Sequence, residues 1–135
     1  SLSPDGRWLA YTSERTGRKE VYVTPFPSAA STHLVSRDGG NEPRWSHDGR
    51  ELFFKAPTYL MTVPITPGPT FFAGTPRPPC PRPGYREARN RQQYDVSPDG
   101  RHFVMIRELS NDQPLNVIYA ENWLADLEAR VKARR

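Results

Sequence analysis

The chain has 135 residues, 36% of them hydrophobic and 25% charged, and a formal net charge of +4; this is the balance of a globular domain with its own core. No stretch approaches the roughly 18 apolar residues of a membrane span, and a lone Cys80 excludes an internal disulfide. Arg77, Arg82, Arg86, Arg89 and Arg91 set against Glu87 carry the whole positive excess, so the charge is one local segment and not the broad basic surface of a nucleic-acid binder.

The first element is a five-residue phrase that recurs. It reads Ser3-Pro4-Asp5-Gly6-Arg7, Ser46-His47-Asp48-Gly49-Arg50 and Ser97-Pro98-Asp99-Gly100-Arg101. Apolar runs follow each copy: Leu9-Ala10-Tyr11, Leu52-Phe53-Phe54 and Phe103-Val104-Met105. Asp-Gly between apolar runs signals a hairpin, because Gly accepts a positive φ and Asp bonds its own turn backbone. The copies lie 43 and 51 residues apart, counted from Asp5 to Asp48 and from Asp48 to Asp99. A period of about 40–50 residues with one hairpin per unit predicts stacked four-stranded units, the spacing of propeller blades.

Taken in order, residues 7–13 predict a strand that is apolar on both faces of its pleat, hence covered on both sides. Glu14–Arg18 is a polar turn, Glu20–Thr24 a second strand, and His33–Ser36 a short third one before the turn Arg37-Asp38-Gly39-Gly40. The second unit runs through Glu42–Ser46, Glu51–Lys55 and Tyr59–Ile65, with a fourth strand placed near Thr75–Arg77. Residues 76–91, with five prolines and five arginines, are predicted to be an irregular insertion of polyproline character that stretches the second period. Gln93–Ser97, His102–Arg107 and Asn116–Ala120 supply the third unit, with Leu109–Pro114 as a polar loop. Trp123, Leu124, Leu127 and Val131 then fall on one helical stripe, with acids early and bases late, which complements a helix dipole. The expected fold class is therefore all-β: a partial β-propeller of about three antiparallel blades (1–40, 41–80 and 81–120), the first and last incomplete, with a C-terminal helix over 121–135.

Ser-Pro-Asp-Gly-Arg before Trp-Leu-Ala-Tyr, then Val-Tyr-Val and Glu-Pro-Arg-Trp-Ser, resembles the TolB-like, WD40-like (PD40) β-propeller repeats of bacteria over about residues 2–120. The stretch Leu115-Asn116-Val117-Ile118 through Asn122-Trp123-Leu124-Ala125-Asp126-Leu127 is similar to the end of propellers fused to bacterial serine/threonine kinases. Copy two departs from the pattern with His47 for Pro, and copy three lacks the Trp before its Ser. The resemblance implies a protein-binding or ligand-sensing scaffold without chemistry of its own, on the periplasmic or extracytoplasmic side, with no cofactor. Because three incomplete units cannot close a ring of four to eight blades, further blades upstream in the same chain are expected as partners. The opening at Ser1, midway through a unit, reads as a cut from a longer protein.

Asp5, Asp48 and Asp99 are read as turn formers in three separate blades, and Ser3, Ser46, Ser97, Gly6, Gly49 and Gly100 belong to the same turns. His33, His47, His102 and Cys80 lack the convergent spacing of a zinc site, and no nucleophile elbow surrounds the serines. One interaction loop stands out: Arg77, Arg82, Tyr85, Arg86, Arg89 and Arg91. It offers a PxxP-type ligand for a protein partner or a phosphate contact, against the plainer reading of a solvated bridge between blades. Two functions follow. The first is a non-catalytic propeller module for protein or peptide binding, or for sensing, in a kinase-linked protein. The second is the gating propeller of a prolyl-oligopeptidase-type serine peptidase. The ending in a short charged helix, without a hydrolase domain, favours the first.

Overall fold

The computed structural model describes residues 1–81, 94–106 and 117–120. Among them every regular element is a β-strand. Strands β1 (Trp8–Ser13), β2 (Glu20–Pro25) and β3 (His33–Leu34) form one antiparallel sheet in that order. Strands β4 (Asn41–Trp45), β5 (Glu51–Lys55), β6 (Tyr59–Thr66) and β7 (Phe72–Ala73) form a second, with β8 (Arg77–Pro81) also paired to β6. Strands β9 (Tyr94–Val96), β10 (Phe103–Ile106) and β11 (Val117–Ala120) form the third. A bridge from Leu2 to Leu9 marks in the first sheet the place that β4 and β9 hold in the others.

Each turn phrase joins the innermost strand of its sheet to the next, so the three sheets can be compared position by position from the Arg of the phrase. Two residues after that Arg stand Leu9, Leu52 and Phe103; three after it, Ala10, Phe53 and Val104; four after it, Tyr11, Phe54 and Met105. Because successive side chains on a strand point to opposite faces, these offsets sort into two sets. Leu52 and Phe54 enter the core shared with the first sheet, whose Trp8, Ala10, Val21 and Val23 meet them. Phe53 and Leu60 point the other way, into a second core with Tyr94, Phe103 and Met105 of the third sheet. Rings of Phe53 and Phe103 meet edge-on at 5.1 Å. In the middle sheet, consecutive Leu52, Phe53 and Phe54 are all fully buried because both faces are covered.

Among the described residues the outer sheets meet a neighbouring sheet on one face only, although Tyr22, on the opposite face of the first sheet, is buried with the Arg15 guanidinium 4.2 Å from its ring centroid. Leu9 and Tyr11, opposite the first core, are half-buried, and Leu34, paired with Tyr22 in register, is 55% exposed. On the third sheet Val104, at the offset of Phe53, is 41% exposed where Phe53 is fully buried.

Two expectations change. The sequence places a fourth strand near Thr75–Arg77; the structure has a two-residue strand at Phe72–Ala73 and then β8. The sequence makes residues 76–91 irregular, yet Arg77–Pro81 is drawn into the second sheet against β6, its register slipping between Leu60 and Thr62. Proline is tolerated there because an edge strand uses only part of its donors. The polar loop at 109–114 and the helix over 121–135 lie outside the described residues.

Candidate functional site

The three turns are built alike. In each, the Ser amide donates to the backbone carbonyl five residues on: Ser3 to Trp8 at 2.8 Å, Ser46 to Glu51 at 2.9 Å and Ser97 to His102 at 2.9 Å. The returning amide donates to the Ser hydroxyl at 2.9 Å from Trp8, 2.9 Å from Glu51 and 3.0 Å from His102. That hydroxyl donates in turn to the Asp carboxylate, at 2.6 Å for Ser3–Asp5 and 2.7 Å for Ser46–Asp48; Ser97 bonds Asp99 in the same way. The same carboxylate oxygen accepts the Arg amide, at 3.1 Å for Arg7, 3.0 Å for Arg50 and 3.0 Å for Arg101. The Gly between has φ of +72°, +70° and +70°, a left-handed conformation that a side chain would strain.

These bonds act on the carboxyls. The Ser3 hydroxyl, then the Arg7 amide, hold Asp5 below its usual range, and Ser46 and Arg50 do the same for Asp48. Ser97 and Arg101 bring Asp99 down to about 2. A hydrogen bond to the charged form favours that form, so all three stay ionised near neutral pH.

The sequence sets the three Asp in separate blades, away from any common site. The structure alters this for two of them. The first two turns touch: a Cβ placed on Gly49 would lie 3.5 Å from the Pro4 ring. Between them lies a cleft of about 310 Å³. Asp5 and Asp48 line it together with Trp8, Trp45, Ile65 and Pro67, while Asp99 does not. The Trp45 indole N–H donates to the Ser1 carbonyl at 3.2 Å, and Trp8 packs on Phe71 with ring centroids 5.2 Å apart. The walls are thus apolar and aromatic with carboxylates at the mouth. Asp48 uses one oxygen for the Ser46 hydroxyl and the Arg50 amide, and the Arg50 guanidinium also acts on the carboxylate.

The three histidines do not gather at one point, though His102 sits in the third turn, 3.4 Å from the Ser97 hydroxyl. His33 lies against Trp8 and Phe71 at 6.2 and 5.0 Å, His47 is exposed, and the His102 ring is 3.4 Å from Asp99. Among the described residues no three His, Cys, Asp or Glu gather as a metal site, and no helix is long and apolar enough to cross a membrane. Of the proposed interaction loop, Arg77 is an exposed residue of β8; Arg82, Tyr85, Arg86, Arg89 and Arg91 lie outside the described residues.

Sequence reasoning passes over two buried charges. Glu20, 2% exposed, accepts from the Ser36 hydroxyl, the Arg18 guanidinium and the Gly39 amide, the last at 3.2 Å, and ties β2 to the Asp38-Gly39 turn. Lys55, 3% exposed, pairs with Glu42 at 2.6 Å, while the Tyr94 hydroxyl donates to the Glu42 carbonyl at 2.7 Å. This second group crosses from the middle sheet to the third. A Glu far from its partners in sequence gives no signal of its own; the Asp38-Gly39-Gly40 turn is the one hint toward Glu20.

No family model matches the chain, and no curated protein matches it. Among solved structures it is similar to TolB from Acinetobacter baumannii, with a TM-score of 0.59 at 17% identity over 90% of this chain. The chain spans 29% of that protein's length. The likeness concerns the fold, a TolB-like β-propeller of which this chain forms a part.

Proposed function

We propose that the chain is a non-catalytic binding module: part of a TolB-like propeller whose outer sheet faces join further blades and whose turn-bearing end receives a protein or peptide. One observation carries the first half. Leu9 and Tyr11 occupy the offsets at which Leu52 and Phe54 receive a preceding sheet, and Tyr22, register partner of Tyr11, lies on the same face. The repeat therefore prepares this face for a sheet of the same kind. A propeller narrower than four blades does not close, and open apolar faces and strand edges associate.

Sedimentation of the 135-residue chain tests the reading. Concentration-dependent association is expected, weakened by Leu9→Asp, a change on the open face. A cooperatively melting monomer at all concentrations, indifferent to Leu9→Asp, contradicts it. The kinase-linked form of the proposal rests on the sequence from Leu115 to Leu127, and a kinase core encoded upstream would support it. The absence of enzymatic chemistry is part of the same proposal: the Ser97 hydroxyl lies 3.4 Å from the His102 ring and the Ser31 hydroxyl 3.5 Å from that of His33, both long contacts, and Ser97 is already engaged within its turn by Asp99 and the His102 amide.

A further inference from the structure

We infer that the cleft between the first two turns is a receptor for a basic side chain, an arginine or lysine presented by a protein partner, with its alkyl stem against Trp8 and Trp45 and its charge between Asp5 and Asp48. The inference rests on the binding-module reading and names the partner's chemistry.

The seam between the middle and third sheets repeats the seam between the first and middle sheets. Trp8 in the first seam corresponds to Glu51 in the second, one residue after the Arg of each phrase. Trp45 corresponds to Val96, one residue before each Ser. The fold thus closes a seam at this end without an aromatic at either place. At the first seam both places hold indoles, which are buried in the core there and also line the cleft.

Charge points to the occupant. Asp5 and Asp48 are held ionised by their own turns, and both line the cleft. Asp5 pairs with the Arg7 guanidinium at 3.9 Å, whose side chain is 61% exposed, and the Arg50 guanidinium acts on the Asp48 carboxylate. Among the described residues no Lys or Arg lines the cleft. An anion would meet two carboxylates. A guanidinium or ammonium would pair with the carboxylates beside the two indoles that line the cleft, an arrangement that cation–π and charge-assisted hydrogen bonds favour. At about 310 Å³ the space is at the small end of ligand sites and suits one long side chain.

The test titrates the 135-residue chain with acetyl-Gly-Arg-Gly-amide, following the Trp8 and Trp45 indole N–H signals by NMR, with acetyl-Gly-citrulline-Gly-amide as the uncharged analogue. Saturable shifts with the arginine peptide are expected, and binding about tenfold weaker for the citrulline peptide. The double variant Asp5→Asn, Asp48→Asn should weaken arginine binding to a similar extent. Asp99→Asn alters the same turn bond away from the cleft and should leave binding unchanged. Free arginine should shift the same two indoles, because the chemistry is shared, but a peptide that gains nothing over it would overturn the assignment to a protein partner. Equal binding of the two peptides, no binding, or equal loss in Asp99→Asn overturns the cleft assignment itself. The citrulline comparison uses the unaltered chain and so survives any folding defect in the variants. Failure here with Leu9→Asp still weakening association would remove the cleft reading and leave the module reading in place.

Discussion

The two seams between neighbouring sheets use the same strand offsets with different chemistry. The first is apolar throughout its depth, with Trp8, Ala10 and Val23 meeting Leu52, Phe54 and Val63, and it opens into the aromatic cleft at the turn end. The second combines the Phe53–Phe103 contact with a polar link, Lys55 to Glu42 and Tyr94 to the Glu42 carbonyl. The repeated turn fixes which offsets face which neighbour. What occupies those offsets is free to differ.

The largest predicted effect removes a side chain from the second seam. Phe53→Ala empties a fully buried position against Phe103 and should cost about 3–5 kcal/mol, read as a lower urea midpoint. At the corresponding position of the first sheet the native residue is already Ala10, so a similar loss from Val23→Ala, a much smaller deletion, would break the comparison. Next comes Tyr94→Phe, which strips the hydroxyl from a bond that crosses the second seam. A loss of roughly 1–2 kcal/mol is expected from the unmatched carbonyl.

Ser46→Ala and Ser97→Ala sharpen the account of the turns. Each removes a hydroxyl that links a returning amide to an Asp, and about 1 kcal/mol is expected for each. Ser46 is buried and Ser97 half-buried, so the Ser46 variant should be the more damaging.

The smallest effect is a dependence on pH. Asp5, Asp48 and Asp99 have folded-state carboxyls below the unfolded value. Such groups contribute stability that is fully present above the unfolded pKa and lost as pH falls through the folded one. For Asp99 that window runs from the model-compound value of 3.8 down to about 2. Denaturant midpoints should fall across it, and less steeply in Asp99→Asn. A flat profile in the unaltered chain would contradict the turn geometry.

Much of the fold is legible in the sequence because its determinants are local. Asp-Gly with a preceding Ser encodes a closed set of bonds within six residues, and the apolar runs that follow define strands whose observed limits, such as Glu51–Lys55, match the reading. Strand β8 is harder to read, since prolines argue against pairing unless the strand is known to be an edge. The cleft is not legible at all. Asp5 and Asp48 are 43 residues apart in sequence, and only the side-by-side packing of two sheets brings their turns into contact. Glu20 and Lys55 are obscure for the same reason: their partners come from other strands and turns. The recurrence of Trp at Trp8 and Trp45 is visible in the sequence, yet taken alone it says core packing, and only the contrast with Glu51 and Val96 across equivalent seams gives it another meaning.

The central claim is that the face bearing Leu9 and Tyr11 is built to receive another sheet, as the face bearing Leu52 and Phe54 does within this chain. Hydroxyl-radical footprinting tests it directly, by comparing the 135-residue chain with the protein as its own cells make it. Tyr11 should be labelled in the first and protected in the second, while Phe54 is protected in both. Equal labelling of Tyr11 in the two would contradict the account.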